Sequence, residues 1–144
     1  AEYIVNESTG TFYLIEIACR GGGSLISSDI VKWVSGFDVY EALYSDLLGI
    51  GIPKIKEIEI LKRNAILHFF EFPEGKVKRI SGLEQIKKID NVLEISLNFS
   101  EGDILKKAID DRGRQGFVIL LTNSVEEQKE LLSIVYRTLE IEYV

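Results

Sequence analysis

Glu2 and Glu16 are the residues of this chain whose type and spacing best suit chemistry. Ser8-Thr9-Gly10 reads as a three-residue turn closed by a left-handed glycine. Counting back from a Glu7–Thr11 pair sets Asn6 against Phe12, Val5 against Tyr13, Ile4 against Leu14 and Glu2 against Glu16. The side-chain period of a strand then places Glu2, Ile4, Leu14 and Glu16 on one face. Like charges directly opposite one another destabilise a sheet, and a divalent cation between them removes the repulsion. Mg²⁺ is commonly held by one or two carboxylates together with substrate phosphates. Glu16, Ala18 and Arg20 share a face further along the strand, so a fixed positive charge lies beside the carboxylates. Phosphate chemistry uses that combination. Taken by themselves, the two glutamates also fit a plainer reading, solvated carboxylates on an exposed strand face.

Arg20-Gly21-Gly22-Gly23 follows as a loop, and Ser24 is expected to cap a helix from about Leu25 to Val34. A glycine loop feeding a helix N-terminus offers backbone N–H groups to an anion, although without the neighbouring Glu and Arg it reads as a plain turn. Cys19 alternates to the face opposite Glu16 and Arg20 and reads as a small core residue. His68, the one histidine, lies in the apolar run Ala65-Ile66-Leu67-His68-Phe69-Phe70 and reads as a strand residue packed on its sheet. Neither makes a metal cluster. The polar stretch from Asn98 to Gln115 holds Glu101-Gly102-Asp103 and Asp110-Asp111-Arg112-Gly113-Arg114. Its acids lack the alternating ligand spacing of a calcium loop, and it reads as a solvated loop.

These groups need elements to position them. Asp38 and Glu41 form a capping box for a helix that runs to Leu48 and stops before Gly49, Gly51 and Pro53. The two N-terminal helices carry Trp33, Phe37, Tyr40, Leu43, Tyr44 and Leu47, a stripe expected to pack as core. Ile50 to Arg63 alternates Ile with Lys and Glu and reads as a linker with an extended segment. Beyond it, strands are expected over Ala65 to Phe72, near Val77, over Val92 to Leu97, over Gly116 to Thr122 and over Ile141 to Val144. Ser81 with Glu84 is expected to cap a short helix, and Ser124 with Glu127 a longer one reaching about Leu139. The order predicts an α+β fold with a split βαβ-like antiparallel sheet.

With 144 residues, 46% apolar and 28% charged, the chain has the composition of a folded protein. A net charge of −6 without a basic stripe argues against nucleic acid as a partner. No apolar run approaches the length of a membrane span, so no membrane partner is expected. A single cysteine cannot form an internal disulfide, which makes a reducing cytoplasm the expected location.

The stretches Ala1-Glu2-Tyr3-Ile4-Val5 and Phe12 to Gly23 resemble the end of an ATP-grasp domain, as in carboxylate-amine ligases. That superfamily includes the ATP-grasp domains of biotin carboxylase and carbamoyl-phosphate synthase. The resemblance implies that Glu2 and Glu16 bind the Mg²⁺ or Mn²⁺ of ATP. It also implies that Arg20 contacts phosphate or an acyl phosphate, and that Gly21, Gly22 and Gly23 line the ligand site. Many members have Asn two residues after the second Glu; Ala18 stands here, which is similar to the L-amino-acid ligase branch.

Gly36-Phe37-Asp38, Pro73 to Val77, Ile80 to Glu84 and Gly116-Phe117-Val118 resemble the small C-terminal domain of that branch. The implied organisation is the end of an ATP-grasp domain over 1–50, a linker over 51–63 and the small domain over 64–144. The implied activity joins a carboxylate, activated by ATP as an acyl phosphate, to an amine. The ATP-grasp lobes that cradle the nucleotide are expected to precede Ala1 or to come from a split subunit, leaving the isolated chain inactive. Arg112 and Arg114 are expected to serve the interface with those lobes. Two alternatives use the C-terminal unit alone: a regulatory module for a small ligand, and a capping or homodimerisation domain.

Overall fold

Alternating apolar residues on either side of Gly10 form the hairpin that the sequence predicts, with a different register. A computed structural model of the chain describes residues 2–18, 20–51 and 63–144. Ala1, Cys19 and most of the expected linker with its extended segment, residues 52–62, lie outside the described residues. Strand β1 (Glu2–Asn6) pairs antiparallel with β2 (Thr11–Glu16). The Asn6 carbonyl accepts from Thr9 N at 3.2 Å and Gly10 N at 2.8 Å, and Asn6 Oδ1 accepts from Ser8 N at 3.1 Å. Asparagine thereby closes a turn that includes Glu7, and Asn6 rather than Glu7 pairs with Thr11. Each following pair moves by one, so Ile4 faces Tyr13 and Leu14 faces Tyr3. The expected grouping of Leu14 with Ile4 fails for that reason. A bulge at Ile15 absorbs the shift and returns Glu16 to the position opposite Glu2.

Ser24 and Leu25 have φ of 50° and 58°. Two successive left-handed residues cannot start a right-handed helix, so the helix expected from Leu25 begins late and without a Ser24 cap. A π-helical turn over Ile26–Ile30 leads into α1 (Val31–Ser35), which stops at Gly36 with φ 71°. Helix α2 (Val39–Leu47) starts as predicted, with Asp38 Oδ1 accepting from Tyr40 N at 3.1 Å and Glu41 N at 3.0 Å. Lys32 Nζ, 2.7 Å from Asp38 Oδ2, holds that carboxyl below its usual range, aided by the Glu41 and Tyr40 amides. The aromatic stripe is a correction. Ala42 is the buried residue of α2, while Tyr40, Leu43, Tyr44 and Leu47 are exposed.

The C-terminal unit comprises β3 (Asn64–Phe69), β4 (Gly75–Ser81), α3 (Leu83–Ile86), β5 (Val92–Leu97), β6 (Ile104–Leu105), β7 (Gly116–Thr122), α4 (Val125–Thr138) and β8 (Glu140–Tyr143). The class is α+β with antiparallel strands, divided between two three-stranded sheets of order β3-β7-β5 and β6-β4-β8. Phe70, Ile86, Ile95, Val118, Leu120 and Val135 form its core, supplied by the first sheet, α3 and α4. Ser81 remains in β4, paired with Glu140, and Gly82 at φ 88° starts α3 instead of a serine cap. Ser124 caps α4 as predicted, accepting from Glu127 N at 3.1 Å. The polar stretch before β7 contains β6 and a 3-10 turn over Asp111–Gly113. No helix among the described residues is long and apolar enough to cross a membrane.

Candidate functional site

Glu2 and Glu16 stand directly across β1 and β2, and both line a cleft of about 550 Å³. Ala18, Arg20, Gly21 and Gly22 line it too. Its lining also includes Ile26 of the π-turn, Val31 of α1 and Val39 of α2, together with Ser27. The cleft thus joins two exposed carboxylates and one guanidinium to apolar side chains, a lining suited to a ligand with a charged and an apolar part. Arg20 Nη1 donates to the Gly21 carbonyl at 3.4 Å, and its guanidinium carries further N–H donors.

The glycines do not behave alike. A Cβ on Gly21 would meet Ser27 Oγ at 2.7 Å, and one on Gly22 would meet Ile26 Cβ at 3.2 Å. Absence of a side chain at these two positions lets the π-turn close on the loop. Gly23 lies outside the cleft lining; its carbonyl accepts from Ile26 N at 3.0 Å and its Cα faces open space. Ser27 is the residue that sequence reasoning missed. Ser27-Ser28-Asp29 is a poor helix interior, and that local weakness was the available signal.

Among the described residues no group of three or more His, Cys, Asp and Glu side chains could hold a metal ion by themselves. Two facing carboxylates fit a cation whose remaining ligands are substrate oxygens and water. His68 packs on its sheet, 2.7 Å from the Tyr136 hydroxyl and away from the cleft. Arg112 and Arg114 are engaged locally, at 2.7 Å from Asp110 and 2.6 Å from Asp111, and Arg114 also covers the Phe69 ring at 3.8 Å.

A second concavity of about 460 Å³ lies in the C-terminal unit between Glu71, Phe72, Glu74, Lys107 and Gln115. Its one buried polar side chain, Gln115, is consumed in bonds to the Phe72 N–H and the Phe72 and Lys106 carbonyls.

A family model described as L-amino acid ligase C-terminal domain 2 matches residues 68–144. The whole chain is similar to the crystal structure of L-amino acid ligase from Bacillus licheniformis, at 24% identity and a TM-score of 0.71, covering 99% of this chain and 35% of that one. It is similar also to the crystal structure of phosphoribosylglycinamide synthetase from Anaerococcus prevotii, at 18% identity and a TM-score of 0.73, covering 99% of this chain and 36% of that one. The chain therefore spans roughly a third of the length of the solved relatives it matches. No curated protein matches it. At these identities the solved structures establish the fold.

Proposed function

The chain belongs to the L-amino acid ligase C-terminal domain 2 family, and from that membership we propose that it is the C-terminal part of an ATP-grasp ligase that joins a carboxylate to an amine. The observation that carries this reading is the Glu2–Glu16 pair across the hairpin, in one cleft with Arg20. In the proposed reaction a substrate carboxylate oxygen attacks the terminal phosphorus of ATP and ADP leaves. The amine nitrogen then attacks the acyl carbon, phosphate leaves, and the surplus amine proton passes to solvent. Glu2 and Glu16 hold Mg²⁺ or Mn²⁺, whose contribution when bound is to neutralise charge on the phosphate oxygens. Arg20 presents a fixed cation to the charge that develops on the transferring group. Gly21 and Gly22 line the ligand cleft and let the π-turn close on the loop, and Gly23 leads the chain into that turn.

The nucleotide-cradling lobes come from the same polypeptide or from a split subunit. The exposed hairpin supports a covering partner: Phe12 is 67% and Ile17 73% exposed, and a two-stranded ribbon is marginal in water unless packed. The isolated chain is inactive on this reading, because half a nucleotide site cannot align ATP with a nucleophile. A regulatory role for the C-terminal unit finds less support, since the buried polar group of its concavity is already satisfied.

The test is ADP release by the complete enzyme with ATP, Mg²⁺ and a panel of common L-amino acids. Glu16→Gln is expected to lower turnover by about 10²-fold or more while leaving the circular dichroism spectrum unchanged. Turnover at the wild-type rate would remove the metal assignment.

A further inference from the structure

The Gly22 N–H, which the sequence offers as an anion donor, is already committed to Ser27 Oγ at 2.7 Å. Ser27 is 8% exposed and still forms part of the cleft wall. A serine hydroxyl both donates and accepts. Gly22 engages the acceptor side of Ser27, and among the described residues its O–H has no acceptor. The fit around it is close, since a Cβ on Gly21 would lie 2.7 Å from Oγ and 3.0 Å from the Ser27 Cβ. Two left-handed residues, Ser24 and Leu25, and a π-helical turn bring this side chain to its place. Such turns occur often at functional sites.

We propose that Ser27 is a substrate-binding residue of the cleft, donating its hydroxyl hydrogen to a carboxylate or acyl-phosphate oxygen of the acyl substrate. The proposal rests on the ligase reading and adds to it a donor that comes from neither the metal pair nor Arg20. Accepting the Gly22 N–H polarises the hydroxyl and strengthens its own donation. An anionic oxygen makes the resulting bond charge-assisted, and Ile26 and Val31 belong to the same cleft lining. The buried hydrogen gains a partner when substrate enters, so the bond contributes to affinity. The loop then acts through this relay, with its amide holding the serine and the serine holding the ligand.

The experiment uses the complete enzyme and, as probe, the L-amino acid that releases ADP fastest as carboxylate donor. Ser27→Ala is expected to raise KM for that amino acid about tenfold, equivalent to about 1.4 kcal/mol, with KM for ATP within about twofold of wild type. Ser27→Thr, which keeps the hydroxyl, recovers most of the loss. Gly21→Ala, which displaces Oγ, reproduces it. If Ser27→Ala does not fold, Ser27→Cys keeps an acceptor for Gly22 with a weaker donor and serves for the same comparison of the two KM values. An unchanged KM for the amino acid overturns the proposal, and so does a parallel rise in both KM values, the signature of a collapsed loop. Should Glu16→Gln abolish turnover while Ser27→Ala behaves as wild type, only this inference falls. Wild-type turnover in Glu16→Gln removes the metal assignment and leaves this inference standing, whereas the absence of amino-acid-dependent ADP release by the complete enzyme removes the ligase reading and this inference with it.

Discussion

His68 shows how a residue type with catalytic potential is absorbed by packing. Its ring lies edge-on to Phe70 at 6.0 Å and to Tyr136 at 5.6 Å, and Nε2 shares a hydrogen bond with the Tyr136 hydroxyl. Partial burial holds the imidazole below its ordinary 6.5, with Glu71 opposing. The folded state therefore favours neutral His68, and below 6.5 the unfolded chain binds the proton more readily. Stability falls as pH drops through that value toward the lower folded one. We expect the urea midpoint to fall between about pH 7 and about pH 5, and His68→Gln to flatten that slope, in equilibrium unfolding at several pH values. An equal slope in both proteins would place the titration elsewhere. This residue was legible because a lone histidine inside an apolar strand run has one ordinary destination. Ser27 was not, since its burial depends on a turn that forms only when Gly21 and Gly22 let the next segment approach.

At the scale of elements, the caps written in local sequence appear where predicted, at Asp38 and Ser124, because each side chain satisfies amides two or three residues away. The cap expected at Ser81 does not form. Ser81 is held in β4 by pairing with Glu140, more than fifty residues on, and Gly82 takes the corner instead. A Cβ on Gly82 would run into the Thr138 carbonyl at the end of α4, at a backbone φ of 88° that L side chains resist. Gly82→Ala is expected to cost about 4 kcal/mol or more, because neither the turn nor the helix terminus can yield. Chemical denaturation of the variant measures it, and a loss under about 1 kcal/mol would mean that α3 and α4 separate without penalty. The hairpin carries a similar lesson. Asn6 shifts the turn by one residue, Ile15 bulges, and the two departures cancel at Glu2 and Glu16. The opposition of the two glutamates follows from both irregularities together.

Across the whole molecule, Trp33 ties the N-terminal helices to the C-terminal sheet. Its indole N–H points to the Thr122 carbonyl at 3.4 Å, and Arg63 lies 4.5 Å over the ring while donating to the Trp33 carbonyl. Because α1 also supplies Val31 to the cleft, this joint links the C-terminal unit to one wall of the candidate site. Trp33 is the sole tryptophan, so its fluorescence reports the joint directly. Arg63→Ala is expected to shift the emission to longer wavelength and to lower stability by about 0.5–1 kcal/mol, the range of an exposed cation–π contact. An unshifted spectrum would show that the contact does not persist in solution.

The sequence by itself determined the α+β class, the presence of the N-terminal hairpin, the Asp38 and Ser124 caps and the likeness to L-amino-acid ligases. Each follows from side-chain period, from a side chain bonding amides two or three positions away, or from a motif contiguous in the chain. The tertiary structure alone decided the division of the C-terminal strands between two sheets, the exposure of the α2 stripe and the enclosure of Ser27 against Gly21 and Gly22. Those features depend on which distant segments come to share a surface. Local propensity is blind to that choice, because burial is a property of the assembled neighbours rather than of the residue.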